Sequence, residues 1–562
     1  MFAQKWRERW GLATDPFACE DADKDLILSQ IDLAAVHSGF DRVFGDPRSP
    51  SPGIVFGEKG SGKSGLRLMM RRRLEEHVEK HPEARVFWAE YIDFNGAIEE
   101  LSRRLDRDGG PTAAGVIGSW EIADHLDAIL SLGITKLVDA ITAGETFGPG
   151  HRTRPKLGRK QRLDLQILTT LYYRSKTRTV SDALGSVRFA AKLGRPGGSA
   201  GRWLMTLLGL AIAAAPHLVV RSEELSSLHF LGDHPLPLYG LGLVVALFPW
   251  LRHGVLGRLA LRDARNAGRG IRVLAEEPGP LADILHGLSS GERAEFALPD
   301  GTSEAVRYDL LQRFLGLLEQ YGYKGFYVLM DRVDEPTLLS DNAEWMREFV
   351  ARILDIKLLQ HPALALKLFL PIEMEALWRH ATPDQLKRMR LDKSNLIPEL
   401  KWTGRELYEI ADQRLKACAT GSGSGSGVSS GSGSADAGPR RTSVASATST
   451  PSTFPSSDTD GGDATAAPAS PSTGPTPRGP ARQLSDLFAP DLALDHVLET
   501  LTALGTPRYA FGFLSEAVGS YVRDLPNDLS DDDDRWRLPR AHFDVTRAGW
   551  LDRAGLLRRT LN

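Results

Sequence analysis

The sequence predicts an α/β protein: a parallel sheet flanked by helices, an inserted two-helix transmembrane hairpin, and a helical lid interrupted by a disordered segment. Three observations support this fold class. A glycine-rich turn joins a short apolar strand to a helix within residues 54–74. A second apolar strand ends in an acidic turn at 325–335. Two long uncharged segments, 203–220 and 235–251, lie between these strands along the chain.

The glycine-rich turn carries the pattern Gly-x-x-x-x-Gly-Lys-Ser directly after the apolar run 54–56. In such a loop the glycines let backbone N–H groups face a phosphate, the lysine adds a positive charge, and the serine hydroxyl binds Mg²⁺. The sequence therefore predicts a nucleotide site with Mg²⁺. The loop residues are Gly57, Glu58, Lys59, Gly60, Ser61, Gly62, Lys63 and Ser64.

Composition narrows the class of protein. Of the 562 residues 42% are hydrophobic and 25% are charged, as in a soluble protein with more than one structural unit. Its two cysteines, Cys19 and Cys418, exclude a disulfide framework and fit a reducing compartment. The cysteines and histidines lack the spacing of a metal site, and the charged N-terminus lacks the apolar core of a signal peptide.

The elements that precede residue 150 follow in order. Residues 1–53 form a polar approach, in which aromatic residues such as Phe17 either stack on a nucleotide base or join the core. Alternating and apolar patterns predict a strand at 85–94 and helices at 98–105 and 120–141.

The middle of the chain has a strong charge asymmetry. Residues 151–202 hold thirteen positive and two negative side chains, a net charge of +11. Two uncharged segments of 18 and 17 residues follow, 203–220 and 235–251, separated by a mildly acidic turn and succeeded by more arginines. Their length is at the short end of what spans a bilayer, and basic outer flanks fit a hairpin with both ends in the cytoplasm.

Two alternatives to the membrane hairpin exist. In the first alternative, the two segments are buried core helices and the arginines lie on a solvated face. In the second, the basic stretch binds nucleic acid. Nucleic acid is not expected as a partner, because no recognised reader motif accompanies the basic residues. The expected partner is instead the lipid of the inner membrane face.

The second half of the nucleotide site is predicted at 325–335. A helix at 307–322 precedes an apolar strand that ends in Asp331, which places this carboxylate beside the Mg²⁺ ion. The segment 288–293, Leu-Ser-Ser-Gly-Glu-Arg, resembles the signature of ABC-type ATPases. It lies about forty residues before the acidic strand, and Arg332 follows Asp331, so the ABC class is an alternative only.

The acidic motif formed by Asp331, Asp334 and Glu335 resembles that of the STAND group of P-loop NTPases, which are related to AAA+ ATPases. An apolar hairpin between the two nucleotide motifs is similar to the KAP family. The resemblance implies a RecA-like core that binds ATP and hydrolyses it, in a setting of phage defence or stress signalling. A strand at 363–371 and a helical lid agree with it, and Arg508, after Thr506-Pro507, matches the sensor-2 arginine of AAA+ relatives.

The resemblance also suggests the catalytic residues. In many relatives the catalytic glutamate directly follows the aspartate at Mg²⁺, and here that position is Arg332, which cannot accept a proton from water. Glu335 has the longer reach and matches the last acid of the STAND pattern, so the sequence favours it over Asp334. Ser64 and Asp331 are the expected metal ligands, and Arg508 is the expected lid residue at the γ-phosphate.

The low-complexity stretch 420–482 cannot bury enough apolar surface to fold, and is predicted to be a disordered insertion in the lid. The predicted domain order is a first nucleotide-domain segment 1–150, a basic helical segment 151–202, the hairpin 203–251, a basic connector 252–300, a second nucleotide-domain segment 301–400, the lid 401–419 and 483–525 around the insertion 420–482, and a tail 526–562.

These features together predict a membrane-associated, slowly hydrolysing ATPase that acts as a conformational switch. A membrane-anchored scaffold that binds nucleotide without turnover is the main alternative, and a soluble cytoplasmic protein is the alternative location. Self-association and an effector protein are further expected partners, neither identified by any motif.

Overall fold

The computed structural model describes most of the chain: residues 4–18, 21–31, 37–106, 112–144, 155–191, 200–221, 235–340, 342–375, 384, 395–419, 483–526, 529 and 533–561. The predicted disordered insertion 420–482, the acidic turn between the two apolar segments, and Cys19 lie outside the described residues.

A five-stranded parallel sheet forms the centre of the molecule. Its strands are β1 (Gly53–Gly57), β2 (Arg85–Tyr91), β3 (Tyr323–Met330), β4 (Leu364–Pro371) and β5 (Leu396–Ile397). Their order across the sheet is β2-β3-β4-β1-β5, and every pairing is parallel. The predicted α/β class is thereby confirmed, and the strands predicted at 54–56, 85–94, 325–330 and 363–371 are all present.

The rest of the described chain is mostly helical. The helices are α1 (Gln4–Trp10), α2 (Phe40–Phe44), α3 (Lys63–Lys80), α4 (Asn95–Asp106), α5 (Ala113–Gly118), α6 (Ile122–Ala143), α7 (Arg159–Tyr172), α8 (Val180–Ala190), α9 (Ala200–Arg221), α10 (Pro235–Gly270), α11 (Pro278–His286), α12 (Ser290–Glu295), α13 (Glu304–Gln320), α14 (Ala343–Ile353), α15 (Ile356–Gln360), α16 (Gly404–Cys418), α17 (Leu494–Leu504), α18 (Pro507–Arg523) and α19 (Arg540–Leu561).

The two faces of the sheet are buried by different regions of the chain. Successive side chains of a strand point to opposite faces, so Ile54 and Phe56 face one way and Val55 the other. The first face packs on a large core that includes α6, α7 and α13. The second face packs on the apolar residues of α3, the N-terminal segment and the helices after residue 403. Burial on both faces explains why the strands are apolar throughout.

The basic stretch 151–202 contributes to this core. Helices α7 and α8 pack on α6, and Leu165, Leu168 and Val187 are fully buried. Among the described arginines, Arg159 and Arg178 lie on the outer surface. Part of the positive charge of this stretch therefore lies at the surface, whereas Arg174 and Arg188 are half-buried.

Helices α9 and α10 pack along each other in opposite directions. Trp203 lies against Trp250 at one end, and His217 lies against Tyr239 at the other. Within α10, the segment from Leu236 to Gly270 is long and apolar enough to cross a membrane, and only 11% of its most apolar window is buried. A shorter apolar helical segment covers Trp203–Ala215.

The far end of α10 is tied into the core by two arginines. Arg104 donates to the carbonyl oxygens of Gly268 at 3.1 Å and of Leu274, and Arg307 donates to that of Gly270 at 2.5 Å. Guanidinium groups suit this position, because the last carbonyls of a helix lack partners within the helix. Arg307 itself is buried and pairs with Asp127 of α6. The apolar helix thus runs without interruption into the core beside the sheet.

The C-terminal helices form one layer over the carboxyl end of β1. Helix α16 packs on α17, and α18 packs on α19. Phe543 and Trp536 of the predicted tail are buried in the same core as α16. The tail at 526–562 therefore belongs to the lid layer in its described residues.

Candidate functional site

The phosphate loop has the backbone that its sequence requires. Strand β1 ends at Gly57 and α3 begins at Lys63, so the loop lies at the positive end of an 18-residue helix. Gly60 and Gly62 adopt φ angles of 88° and 93°, which L side chains rarely adopt. The two glycines let the chain turn between strand and helix in a space where a side chain would be strained.

The lysine of the loop lies inside the loop. Lys63 Nζ donates to the carbonyl oxygens of Gly57 at 2.7 Å and Glu58 at 2.9 Å. Burial lowers the pKa of Lys63, and the charges of Asp334, Asp331 and Glu373 oppose this shift in that order. The ammonium group is thus placed at the centre of the loop and faces three carboxylates from two strand ends.

Asp331 at the end of β3 meets Ser64 at the start of α3. Asp331 is almost fully buried, and the Ser64 hydroxyl lies near enough to favour the charged form of its carboxylate. Burial raises the pKa of Asp331, whereas the Ser64 hydrogen bond and the charges of Arg67 and Lys63 act to lower it. The structure therefore brings together the two residues expected to bind Mg²⁺, which lie far apart along the chain.

Arg67, one turn after Ser64, holds the acidic side of the site together. Its fully buried guanidinium donates to Asp331 at 3.2 Å, to Glu90 of β2 and to Asp23 of the N-terminal segment. The sequence analysis did not identify Arg67 as a site residue. Its signal was weak, because it is one of four arginines among residues 67–73 and only the fold distinguishes it from the solvated ones.

Arg332 has the only positive φ angle among the described non-glycine residues, at 63°. It donates to Asp21 at 3.2 Å, to Asp23, and to Glu335 at 3.2 Å. The left-handed backbone turns the chain sharply after Asp331. The short helical turn Ala22–Lys24 lies beside this bend in the chain. The position after Asp331 therefore links the acidic strand to the N-terminal segment.

The two candidate catalytic acids lie in different surroundings. The Glu335 side chain is 57% exposed and pairs with Arg332. Asp334 is half-buried and exerts the largest opposing charge effect on Lys63. Both line the cleft. The sequence favoured Glu335, whereas Asp334 is the acid whose charge acts most strongly on the lysine of the loop.

The lid layer touches the phosphate loop directly. Trp402 Nε1 donates to the carbonyl oxygen of Ser61 at 2.6 Å. The Arg508 backbone N–H donates to the Gly60 carbonyl at 3.4 Å, and a side chain at Gly60 would collide with Arg508 Cβ and Cδ. Arg508 thus lies where the sequence placed it, on the loop at the start of α18. The sequence placed Trp402 within the predicted lid 401–419 but did not indicate its contact with the loop.

These elements surround a cleft of about 1150 Å³. One end is lined by the loop, Asp331 and Asp334, and the other by apolar and aromatic side chains of the N-terminal segment and lid. Phe17 and Phe511 stack there with ring centroids 6.1 Å apart, and Arg414 lies 5.1 Å from the Phe511 ring. Charged residues of the loop and aromatic residues of the N-terminal segment and lid thus line the same cleft.

The donors present fit a magnesium ion bound together with phosphates. A hydroxyl and one buried carboxylate, Ser64 and Asp331, lie in contact beside the loop. Mg²⁺ in such sites takes one or two carboxylates, and substrate phosphates and water complete its shell. The described residues contain no group of three or more acids, histidines or cysteines that could hold a metal ion.

The ABC-like segment has another structural role in the described chain. Ser289 caps the short helix α12, and its hydroxyl and Glu292 form a reciprocal capping pair. Glu292 also pairs with Arg159 of α7 at 2.7 Å. The segment is not among the residues that line the cleft.

Comparisons of the chain with protein-family models, with curated proteins and with solved structures gave no match.

Proposed function

We propose that this chain binds ATP with Mg²⁺ in the cleft, hydrolyses it slowly, and acts as a membrane-associated conformational switch. The proposed frame is a RecA-like core with an inserted two-helix hairpin and a helical lid. One observation carries the proposal: Ser64 of the loop and Asp331, directly after β3, come together beside Lys63 in a nucleotide-sized cleft.

Each charged residue has a role in this proposal. Loop N–H groups and Lys63 bind the phosphates, and Ser64 and Asp331 hold Mg²⁺, which neutralises charge on the phosphates when bound. The aromatic end, with Phe17 and Phe511, receives the base. Arg67 is a positioning residue, because it fixes Asp331 through a direct contact.

The acid that orients the attacking water is Asp334 in this proposal. The charge of Asp334 acts most strongly on Lys63, while Glu335 is held by Arg332 on the exposed side. An acid set back from the strand end orients water less rigidly than one directly after Asp331, so slow turnover is expected.

Arg508 lies on the loop from the lid side, which supports a role at the γ-phosphate. Its cation stabilises the charge that develops during hydrolysis more than the ground state. Arg508→Ala should then lower kcat by a larger factor than it raises the Kd for ATP. Equal changes in both would leave Arg508 as a structural start of α18.

The membrane association rests on the exposed apolar surface of α9 and α10. Large side chains such as Leu207, Leu243 and Phe248 are more than half exposed on these helices. The two helices approach closely through small residues, Gly209 and Ala213 on α9 and Gly242 and Ala246 on α10. Small residues at such a contact are typical of helices packed in lipid. We place both ends of this hairpin at the inner face of the membrane, as the basic flanks predict.

ATP binding by the purified full-length protein tests the nucleotide site. Lys63→Ala should weaken ATP binding in calorimetry by at least about a hundredfold, since it removes the charge at the centre of the loop. Lys80→Ala, at the exposed end of the same helix, is the matched control and should bind as the parent does. Unchanged binding by Lys63→Ala would contradict the assignment.

Steady-state phosphate release separates the switch from the non-hydrolysing scaffold. The proposal expects slow release that depends on Mg²⁺ and vanishes in Lys63→Ala. Binding without release would instead favour the scaffold.

A further inference from the structure

A second cleft lies at the other end of the sheet strands. It encloses about 580 Å³ and is lined by the first residues of two neighbouring strands, Arg85 of β2 and Tyr323 of β3. The phosphate loop follows the last residue of β1, and all strands are parallel. Strand β3 joins the two clefts: Tyr323 lines one and Asp331, eight residues on, lines the other, so at about 3.3 Å per residue they are about 26 Å apart. They are separate sites.

The second cleft is positively charged. Arg85, Lys136 of α6 and Arg174 line it, with Asp139 as the one carboxylate among its described lining residues. The Asp139 carboxylate accepts from the Tyr173 hydroxyl at 3.0 Å. Three cations against one acid in an open cleft attract an anion.

Each of the two arginines of the cleft, Arg85 and Arg174, has one nitrogen atom without a hydrogen-bond partner in the described residues. The Arg85 side chain belongs to a residue that is only 9% exposed, and its Nη2 donates to the Tyr323 hydroxyl at 3.3 Å. Arg174 donates to the carbonyl oxygens of Tyr173 and Ala275, each at 2.6 Å. Arg85 Nη1 and Arg174 Nε find no hydrogen-bond partner within the described residues of the chain.

Unpartnered buried donors are rare in folded proteins, because the lost hydrogen bond to water is not replaced. Arg85 Nη1 and Arg174 Nε have almost no accessible surface, so the two arginines act on a molecule in the cleft through the charge of their guanidinium groups and not through these two atoms. A phosphate group has several oxygens and matches guanidinium geometry.

The walls of the cleft suit an organic group. Phe87, Trp88 and Leu132 line it, and Lys136 Nζ lies 3.7 Å from the centre of the Trp88 ring. Trp88 is half-buried and Leu132 is exposed, so both offer apolar surface to a bound molecule. The volume lies within the range of about 300–1,000 Å³ that is typical of small-molecule sites.

We propose that this cleft binds a small organic phosphate. The charges of Arg85, Arg174 and Lys136 hold its phosphate, and its organic group packs on Trp88 and Leu132. The inference is independent of the function proposed for the phosphate loop.

Calorimetry on the full-length Lys63→Ala protein tests this site, because the variant lacks the main phosphate ligand of the first cleft. The probes are AMP, ribose 5-phosphate and inorganic phosphate. We expect at least one organic phosphate to bind more tightly than inorganic phosphate. Arg85→Gln should weaken that binding by about tenfold or more, since it removes one of the positive charges that line the cleft.

Lys136→Gln repeats the test at an exposed position where folding is not in question, and should weaken the same binding. The matched control is Arg405→Gln, whose side chain is exposed on α16 and pairs only within its helix. Three results would overturn the proposal: no binding of either organic phosphate, equal affinity for inorganic phosphate, or parental affinity in both Arg85→Gln and Lys136→Gln.

Discussion

At the scale of single residues, the chain after Asp331 decides which acid reaches the loop. Arg332 adopts a left-handed backbone, which costs a non-glycine residue about 1–3 kcal/mol and persists only where the surroundings hold it. Its side chain is held by Asp21, Asp23 and Glu335. Because of this turn, Glu335 pairs with Arg332, whereas the charge of Asp334 acts on Lys63.

Replacement of these acids gives the first prediction. Asp334→Asn should lower ATP hydrolysis by about a hundredfold, because an amide cannot accept a proton from water. ATP binding should stay the same or become slightly tighter, since a negative charge near the phosphates is removed. The measurements are phosphate release and calorimetry on the same preparation.

Glu335→Gln is the matched control for that variant, and should hydrolyse ATP within about threefold of the parent rate. An inactive Glu335→Gln together with an active Asp334→Asn would return the catalytic role to Glu335, as the sequence analysis favoured.

The second prediction concerns pH and the buried His125. Its Nε2 lies 2.9 Å from the Phe349 carbonyl oxygen, and its Nδ1 lies 3.2 Å from the Tyr91 hydroxyl. Burial lowers the pKa of His125 to about 4, whereas an unfolded histidine titrates near 6.5. Between these values the unfolded state binds more protons, so the free energy of unfolding falls as the pH falls.

The expected loss from His125 is about 2 kcal/mol between pH 7.5 and pH 5. Urea unfolding of the parent and of His125→Gln, in the same detergent, isolates this contribution, because all other histidines are shared. Glutamine keeps a donor for the Phe349 carbonyl but does not titrate. The variant should lose less stability over this range, and an identical pH dependence in the two proteins would contradict the prediction.

Much of the site was predictable at this scale, because its motifs are local in sequence. Ser64, Lys63 and Asp331 each follow a short pattern whose chemistry fixes the residue type. Arg67, Asp23 and Glu90 were not predictable, because their roles arise only where α3, β2 and the N-terminal segment meet. The spacing of these residues along the chain does not show that α3, β2 and the N-terminal segment come into contact.

At the scale of elements, the contact between α9 and α10 depends on two glycines. A side chain at Gly242 would lie 2.6 Å from the Gly209 carbonyl oxygen and 2.8 Å from Ala213 Cβ. Hydrogen bonds also join the helices, among them one from Trp250 to Thr206 at 2.9 Å and one between Tyr239 and His217 at 2.8 Å. The helices are therefore in contact along their backbones, with no room for a larger side chain at this point.

This packing gives the third prediction. Gly242→Leu should force α9 and α10 apart and destabilise their contact by roughly 1–3 kcal/mol or more. A loss of crosslinking between cysteines placed at positions 206 and 250, in membranes, would report it. Gly240→Leu is the matched control, because a side chain there meets nothing within 4 Å in the described residues. Equal crosslinking in the two variants would mean that this contact does not hold the helices together.

Elements differ in how well the sequence predicted their surroundings. The strands were located because an apolar run buried on both faces has a clear pattern. Helices α7 and α8 were located by charge, which describes their outer surface, and their burial against α6 was not foreseen. Basic residues on one face give no information on what the opposite face packs against.

At the scale of the whole molecule, the two halves of α10 differ in burial. Its 36 residues span about 54 Å at 1.5 Å per residue. The first half is apolar and exposed, whereas Ala260, Ala264 and Ala267 in the second half are buried in the core beside the sheet. The caps from Arg104 and Arg307 hold the buried half, so that half belongs to the α/β fold.

The fourth prediction follows from this division. The full-length protein should sediment with membranes and resist extraction by alkaline carbonate, because two exposed apolar helices need a non-aqueous surrounding. Deletion of residues 203–251 removes that surface and leaves the buried alanines and the arginine caps of α10 in place. The shortened protein should remain in the supernatant and bind ATP with the parental Kd. Deletion of 420–482 is the control, and should leave sedimentation with membranes unchanged. A full-length protein that stays in the supernatant without detergent would instead indicate that α9 and α10 are covered by protein, and its mass in solution would show whether a second copy covers them.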